Sequence, residues 1–177
     1  MHNLIRCAIA VLTFFTATAL FTANSAPAGA TALCWNTGCT GVNPQSSGCS
    51  SNGGSTVRWR YWSHNNLPTD DYGLELRRSS GCDAQWARFI RDDCEWLKNN
   101  GYYLKLRADL WTPYGWYHHA TYYKDVGYSC DTRVYTSMIG QSSARYAACY
   151  IRYENGQRPN PAGVPDEQWE CLDWYYT

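Results

Sequence analysis

Apolar and polar residues alternate along most of the chain after residue 55, and this two-residue period predicts β-strands. In the clearest stretch, residues 102–110, an apolar face alternates with a face that carries Lys105, Arg107 and Asp109. The same criterion predicts further strands over residues 57–62, 73–77, 85–90, 116–123, 133–139 and 144–153. Turn-forming residues separate these segments at intervals typical of antiparallel folds. We therefore expect an all-β fold, a small antiparallel barrel-like or sandwich domain with disulfide-tied loops.

Two short segments lack this alternation and predict helices. Residues 92–101 begin with Asp92-Asp93 and end at Gly101, while residues 165–174 carry Pro165 in the first turn, followed by acidic residues. Residues 31–56 are instead rich in Gly, Ser and Asn and contain three cysteines. This composition predicts a loop-rich cap, pinned by disulfides.

The first thirty residues have the pattern of an export signal. Arg6 is the only charged residue among the first 57, and an apolar stretch over residues 7–23 follows it. Ala28-Gly29-Ala30 then has the form that signal peptidase recognises, and Ala30-Thr31-Ala32 offers a second site. We predict that residues 1–30 are a cleaved signal peptide, with the cleavage site left open among Ala28, Ala30 and Ala32. A retained membrane anchor is the weaker alternative.

The remaining chain has the length and charge of one exported domain. We expect residues 31–153 to form the β domain and residues 154–177 to be a C-terminal extension that packs on it. No later stretch is apolar enough to span a membrane. In the full chain, 15 Lys and Arg residues balance 15 Asp and Glu residues, which argues against the broad basic surface of a non-specific nucleic-acid binder. We expect a secreted monomer, outside the cell or at its envelope.

Cysteine content indicates an oxidising compartment. Eight cysteines remain after removal of the signal, and an even number fits four disulfides. Zinc is a weaker alternative, because no C-x2-C pair is present. Connectivity stays open, although a bridge from the cap to Cys82, just before the third strand, would pin residues 34–49 over one end of the sheet. The eight are Cys34, Cys39, Cys49, Cys82, Cys94, Cys130, Cys149 and Cys171.

Aromatic residues are the feature most suited to carry a function. The chain has 9 Trp and 15 Tyr, more than the core of a domain this small can enclose. Exposed rings on a rigid sheet bind sugars by stacking, and they also form hot spots in protein interfaces. The alternative is that these rings replace Leu and Phe in the core. Our candidate ligand surface consists of Trp62, on the polar face of its strand, together with Trp111, Trp116 and Tyr117.

No motif points to catalysis, a metal or a cofactor. There is no G-x-S-x-G elbow and no phosphate-binding loop. His118 and His119 are adjacent on a predicted strand, so their rings point to opposite faces and do not share a metal. Adjacent carboxylates such as Asp70-Asp71 suit a solvated loop better than an acid–base pair. We therefore predict no enzyme activity, no cofactor and no metal site.

Two blocks of sequence resemble a known family. The first is Cys34-x4-Cys39-x-Gly41-x2-Pro44-x4-Cys49, and the second is Leu74-Glu-Leu-Arg-Arg-Ser-Ser-Gly-Cys82-Asp-Ala-Gln-Trp-Ala-Arg88. They are similar to the blocks of domain of unknown function 2690, a family of secreted bacterial proteins of actinobacterial type. The resemblance covers residues 32–150, with Asn43 where that family has Asp and Arg78 where it has Tyr. It implies a small exported β domain of the cell envelope or medium, without an established activity.

The combined prediction is a secreted, disulfide-stabilised, non-catalytic protein that binds a cell-wall or other glycan through exposed aromatics. One alternative is a secreted protein-interaction module with an extracellular protein partner, such as an inhibitor or competition factor. A second alternative is a hydrolase with dispersed carboxylates. Glycan binding predicts several Trp in one flat row, and an inhibitor predicts a projecting braced loop at residues 63–73 or 154–165. A hydrolase predicts two carboxylates facing each other across a cleft.

Overall fold

The computed structural model describes residues 34–62, 72–91, 100–127, 133–154 and 157–177. The predicted signal peptide lies outside the described residues, and so do Cys94 and Cys130. Most of the helix predicted over residues 92–101 and most of the loop predicted over residues 63–73 also lie outside them. Asn100 and Gly101 are the exception at the end of that predicted helix, because both belong to a strand.

Strands dominate the described part of the chain, which confirms the all-β prediction. They are β1 (Gly54–Trp62), β2 (Tyr72–Ser79), β3 (Ala84–Arg91), β4 (Asn100–Thr112), β5 (Gly115–Asp125), β6 (Arg133–Tyr135), β7 (Ala144–Glu154), β8 (Glu170–Cys171) and β9 (Tyr175–Tyr176). Single turns of 3-10 helix occur at Asn36–Cys39, Pro161–Gly163 and Asp166–Gln168.

The strands form two antiparallel sheets that pack face to face. The first sheet has the order β1-β2-β3-β6, and the second has the order β5-β4-β7-β8, with β9 also paired to β7. Neither sheet closes on itself within the described ranges, so of the two predicted architectures the structure is a sandwich and not a barrel.

The main hydrophobic core lies between the two sheets. The alternate residues of β4 that point inward are Tyr102, Leu104, Leu106 and Ala108, all buried. They meet inward-pointing residues of the first sheet such as Leu74, Leu76 and Phe89, together with Tyr146 and Tyr150 of β7. Because successive side chains of a strand point to opposite sides, the same pairing sends the intervening residues of β4 to the outer side of the second sheet.

A disulfide ties the loop-rich cap to the first sheet, as the position of Cys82 suggested. Cys49 is bonded to Cys82, and Cys34 is bonded to Cys39 within the cap. Residues after the short strand β6 complete the attachment: the Gly41 amide donates to the Met138 carbonyl, and the Met138 amide donates to the Val42 carbonyl. Alternation predicts a strand as far as residue 139. The strand β6 ends at Tyr135, and Ile139 pairs with Gln85 of β3 only as an isolated bridge.

The C-terminal residues return to the second sheet in extended form, so the helix predicted over residues 165–174 is wrong. A single 3-10 turn at Asp166–Gln168 is followed by β8, whose Cys171 pairs with Cys149 and is bonded to it. Trp169 and Leu172 have helical spacing, but Trp169 packs on the outer side of the sheet and Leu172 in the main core. An extended chain at the sheet edge reaches both sides, whereas one helix face reaches only one.

Within the described ranges, the chain forms no helix with the length and apolar character needed to cross a membrane.

Candidate functional site

The candidate site is the side of the second sheet that points away from the first sheet, here called the outer face. It combines exposed aromatic rings with a network of ion pairs. Strands β4, β5 and β7 and the C-terminal residues supply its side chains. They are Lys105, Arg107, Asp109, Trp111, Trp116, His118, Thr121, Tyr123, Arg145, Asp166, Trp169, Trp174 and Tyr176.

A β-bulge in β5 brings the polar residues of this face together. Ala108 pairs with Ala120 and Asp109 pairs with His118, so His119 is an extra residue without a partner on β4. The extra residue shifts the alternation of β5 by one position, as bulges do next to functional surfaces. Trp116 and His118 before the bulge therefore share the outer face with Thr121 and Tyr123 after it, opposite Arg107 and Lys105 of β4.

Three aromatic rings form a continuous row at one end of the outer face. The Trp111 and Trp116 ring centres are 5.3 Å apart, and the Trp116 and Tyr176 ring centres are 5.7 Å apart. Trp111 is 61% exposed and Tyr176 is 57% exposed. The rings meet at interplanar angles of 65° and 61°. The row therefore forms an angular, folded surface and not the flat row of Trp that glycan binding predicts from the sequence.

Arg145 continues the row toward the middle of the sheet. Its guanidinium carbon is 4.7 Å from the Trp116 ring centre and 4.1 Å from the Trp174 ring centre. The planar guanidinium group suits such stacking better than an ammonium group does. Arg145 also donates two hydrogen bonds to Oδ2 of Asp109, at 3.2 Å and 2.9 Å. Arg145 thus fixes the indole rings and neutralises a buried carboxylate.

Two carboxylates organise the cations of the outer face. Asp109 is buried and accepts a hydrogen bond from Nε of Arg107 at 2.8 Å, in addition to those from Arg145. Asp166 lies between Lys105 Nζ, which is 2.8 Å from its Oδ1, and Arg107, whose Nη1 is 2.5 Å from its Oδ2. Arg107 therefore bridges the two carboxylates.

The ionisation of this network follows from burial and pairing. The hydrogen bond from Lys105, followed by the nearby positive charges, lowers the pKa of Asp166, although partial burial opposes this. Burial lowers the pKa of Lys105, and the hydrogen bond to Asp166 only partly offsets it. Lys105 Nζ and Asp166 Oδ1 lie 2.8 Å apart, the distance of an ion pair. Lys105 Nζ also lies 4.4 Å from the Trp169 ring centre, which adds a cation–π contact.

A small polar pocket opens beside the aromatic row. It is lined by Lys105, Arg107, His118, Thr121, Tyr123 and Asp166. Thr121 Oγ1 is 3.4 Å from Nε2 of His118, and Tyr123 packs against Trp169 at a ring-centre distance of 5.7 Å. Cationic, hydroxyl and imidazole groups thus surround a concave site, next to rings on which an apolar face can stack.

The structure brings together two of the four aromatic residues in the predicted ligand surface. Trp111 and Trp116 are in contact, as described above. Tyr117 pairs with Leu110 and therefore lies on the opposite side of β5. Trp62 packs on the main core, where its ring stacks on Tyr72 at 5.2 Å, so its assignment to an exposed polar face is corrected.

Alternation assigns Trp62 to the wrong side of the sheet because the polar residues of β1 are not on the solvent-exposed side of that strand. Arg58 and Arg60 pair with Leu76 and Leu74, and so they point toward the second sheet. Arg58 lies there over the Tyr175 ring, at 5.3 Å. Trp59, on the other side of β1, is the exposed ring of that strand.

The residues of the C-terminal segment that complete the site carry no signal in the sequence. Asp166, Trp174 and Tyr176 reach the outer face only because β8 and β9 pair with β7. No local sequence pattern predicts the pairing of β8 and β9 with β7. Arg145 and Asp109 had a detectable signal, because each lies on the polar side of an alternating strand.

Three cysteines of the cap and Cys82 form the one group of potential metal ligands found among the described residues. The sulfur atoms of Cys34, Cys39, Cys49 and Cys82 all lie within 4.8 Å of one another. Metal ions bind thiolates, and these four sulfurs are instead joined in two disulfides. The oxidised protein therefore has no thiolate ligand at this position.

The carboxylates of the outer face do not fit the hydrolase alternative. A glycosidase needs one carboxylic acid whose pKa is raised, so that it can donate a proton near neutral pH. The pKa of Asp166 is lowered, and both Asp166 and Asp109 are held by cations.

Fold and site together define a disulfide-stabilised, two-sheet β protein with a cationic and aromatic outer face. No family model, curated protein or solved structure matches the chain.

Proposed function

We propose that this protein is an exported, non-catalytic binding protein of the cell envelope or the surrounding medium, and that its outer face binds a glycan. The observation that carries the proposal is the row of Trp111, Trp116 and Tyr176 beside the polar pocket. Sugars present apolar C–H faces that stack on rings, and hydroxyl groups that need polar partners. Both kinds of partner lie side by side here.

The shape of the row favours a single polysaccharide chain over a flat crystalline surface. A flat surface needs coplanar rings, and these rings meet at 65° and 61°. A folded surface can contact two faces of one sugar, or two successive sugars of a twisted chain. Soluble polysaccharides are therefore suitable ligands for the test.

Export is supported by the disulfides and by the N-terminal sequence. Three disulfides are formed among the described cysteines, and disulfides persist mainly outside the reducing cytosol. They also suit a small domain that works in the medium, because they stabilise it without a partner.

Membership of the domain of unknown function 2690 family is part of the same proposal. The two resembling blocks are joined by the Cys49–Cys82 disulfide. Gly41 has a φ of 85°, a conformation that favours glycine. Asn43 accepts hydrogen bonds from the Gln45 and Ser46 amides, at 2.8 Å and 3.2 Å, through an oxygen that Asp also possesses. Asn43, in place of the family's Asp, therefore still makes the hydrogen bonds of this turn.

The test is binding of the oxidised protein, residues 31–177, to purified bacterial cell wall and to a panel of soluble and insoluble polysaccharides. We expect Trp111→Ala and Tyr176→Ala each to weaken binding about tenfold, since each exposed ring supplies stacking area. Trp35→Ala and Trp59→Ala are matched controls, because both rings are 62% exposed at other places on the surface. Equal losses for all four variants, or no binding to any polymer, would contradict the proposal.

A protein-interaction module is the second candidate, and one observation favours it. The Cys149–Cys171 disulfide closes the segment that contains Pro159, Pro161 and Pro165, an exposed and braced excursion of the kind expected of an inhibitor. However, Asp166 and Trp169 hold the end of this segment against the outer face. Failure of every polymer in the panel would move the search to an extracellular protein partner.

A further inference from the structure

The contact of Asp166 with Lys105 and Arg107 has the form of a ligand in a binding site. Each carboxylate oxygen takes one cation: Oδ1 faces Lys105 Nζ at 2.8 Å, and Oδ2 faces Arg107 Nη1 at 2.5 Å. Lys105 and Arg107 are two positions apart on β4 and so project from the same side of the strand. The two side chains form a cationic clamp that fits one carboxylate.

The two cations of this clamp and the Asp166 carboxylate between them differ in how firmly they are held. The Lys105 side chain is only 4% exposed, whereas the Asp166 side chain is 66% exposed. Lys105 is fixed against the Trp169 ring, and Arg107 is fixed by buried Asp109. Asp166 instead belongs to a single 3-10 turn whose neighbours Glu167 and Gln168 are exposed. The cations are rigid parts of the sheet, and the carboxylate comes from a surface turn.

We propose that the outer face binds a saccharide that carries a carboxylate, and that this carboxylate replaces Asp166 between Lys105 and Arg107. The inference rests on the proposed function and specifies its ligand class. A uronic acid presents the same carboxylate on a sugar ring. The hydroxyl and imidazole groups of Thr121, Tyr123 and His118 line the same pocket and are suited to the hydroxyls of that ring.

The exchange requires only a local movement. Trp169 is buried, and two residues later Cys171 is bonded to Cys149, so the chain stays attached to the sheet on the C-terminal side of Asp166. On the N-terminal side, Arg158 is ion-paired with Asp125 at the end of β5. The side chain of Asp166 can therefore leave the clamp while both ends of its segment stay in place.

Charge favours an anion once Asp166 has left. Lys105, Arg107 and Arg145 then face the single carboxylate of Asp109 on this part of the outer face. Ion-paired hydrogen bonds to a carboxylate are stronger than those between neutral groups. Asp166 thus acts as an internal competitor that holds the site closed to neutral or weakly bound ligands.

The experiment compares two forms of one polymer, polygalacturonate and its fully methyl-esterified form, which share a backbone and differ in the carboxylate. Affinity is measured by titration calorimetry with the wild-type protein and with Asp166→Asn, Lys105→Gln and Glu167→Gln. Glu167→Gln is the matched control, because it removes one negative charge from the adjacent exposed position. Circular dichroism checks that each variant is folded.

We expect the wild-type protein to bind polygalacturonate more tightly than the methyl ester. Asp166→Asn should raise the affinity for polygalacturonate about tenfold, by removing the competing carboxylate, and Lys105→Gln should lower it about tenfold. Glu167→Gln should change it much less than Asp166→Asn does. Equal affinities for the two polymers in the wild-type protein and in Asp166→Asn would overturn the inference. If Asp166→Asn and Glu167→Gln change the affinity for polygalacturonate equally, the ligand carboxylate does not replace Asp166, and that part of the inference is overturned.

The same experiment separates this inference from the proposed function. Binding of neutral polysaccharides without any preference for carboxylates would overturn the inference and leave glycan binding in place. Absence of binding to every polymer, acidic or neutral, would overturn both.

Discussion

The guanidinium carbon of Arg145, in β7, lies 4.1 Å from the ring centre of Trp174, in the C-terminal segment. The contact joins β7 to the C-terminal residues on the outer face. It also keeps Arg145 in place to pair with buried Asp109. One side chain therefore supports both the aromatic surface and the charge balance beneath it.

Arg145→Lys should destabilise the fold and loosen the aromatic row. Lysine keeps the charge, but it loses the planar group that stacks on two indole rings and donates twice to Asp109. We expect a loss of about 1–2 kcal/mol in the free energy of unfolding. Urea denaturation followed by tryptophan fluorescence measures it. Arg60→Lys, at an exposed position of β1, is the control, and an equally small effect of both variants would contradict the prediction.

Glu75→Gln should be among the more damaging single substitutions in the first sheet. Glu75 is buried; its carboxylate accepts hydrogen bonds from Tyr61 and Arg88 and lies 3.8 Å from Arg77. Removing the negative charge leaves two arginines without their counter-ion, a change that costs about 3–5 kcal/mol at buried pairs. Thermal and urea unfolding measure the loss. Glu154→Gln, at the exposed end of β7, should cost little, and comparable losses in both variants would refute the role of burial.

Alkaline pH should unfold the protein through two buried tyrosines. Burial raises the pKa of Tyr146 and Tyr150 above the ordinary value of 10.0, and for Tyr150 the hydrogen bond to Glu170 adds to the effect. The unfolded chain loses these protons from about pH 10 upward, while the folded protein retains them. Stability is therefore fully present below that pH and falls as the pH rises above it.

Parallel records of tyrosinate absorbance and near-ultraviolet circular dichroism test this pH dependence. A late phase of tyrosinate formation should coincide with the loss of the dichroism signal. Tyr150→Phe should move that loss to higher pH, whereas Tyr114→Phe, at a fully exposed position, should not. Complete titration of all tyrosines with the native dichroism signal intact would rule out the prediction.

The two disulfides of the cap should contribute unequally to stability. Cys49–Cys82 closes a loop with a sequence separation of 33, and Cys34–Cys39 closes one of only 5. In the chain-entropy model, the longer loop restricts the unfolded state more, by about 4 kcal/mol against about 2 kcal/mol. The double variants Cys49→Ala/Cys82→Ala and Cys34→Ala/Cys39→Ala provide the comparison by urea denaturation. Peptide mapping of the unreduced protein checks the pairing, and the reverse order of stabilities would contradict the prediction.

Alternation predicted the strands well because it is a local property. In β4, every second residue from Tyr102 to Ala108 is in the core, as the pattern indicated. The same criterion failed where the chain departs from regular alternation. His119 adds one residue to β5, so a strict two-residue period places Thr121 and Tyr123 on the wrong side of the sheet.

Polarity was a misleading guide to exposure at the edge of the first sheet. Trp62 follows two arginines in the alternation of β1, which suggested a solvent-facing ring. The arginines point toward the second sheet, where Arg58 and Arg78 reach Tyr175 of the C-terminal segment. At a sheet edge, long charged side chains keep their charged groups in water even when the strand face that carries them packs on the core. A polar strand face therefore does not establish that its aromatic residues are exposed to solvent.

The sequence by itself determined the β class, the cysteine content expected of an oxidised protein and an excess of aromatic rings. These follow from side-chain period and composition, which need no knowledge of distant neighbours. Tertiary structure decided which cap cysteine bonds to Cys82, how the other described cysteines pair, and which rings meet. Trp111, Arg145 and Tyr176 come together only through strand pairings between distant segments, and the bulge at His119 sets which residues of β5 join them. Such contacts depend on the register and packing of the whole sandwich, which no local pattern encodes.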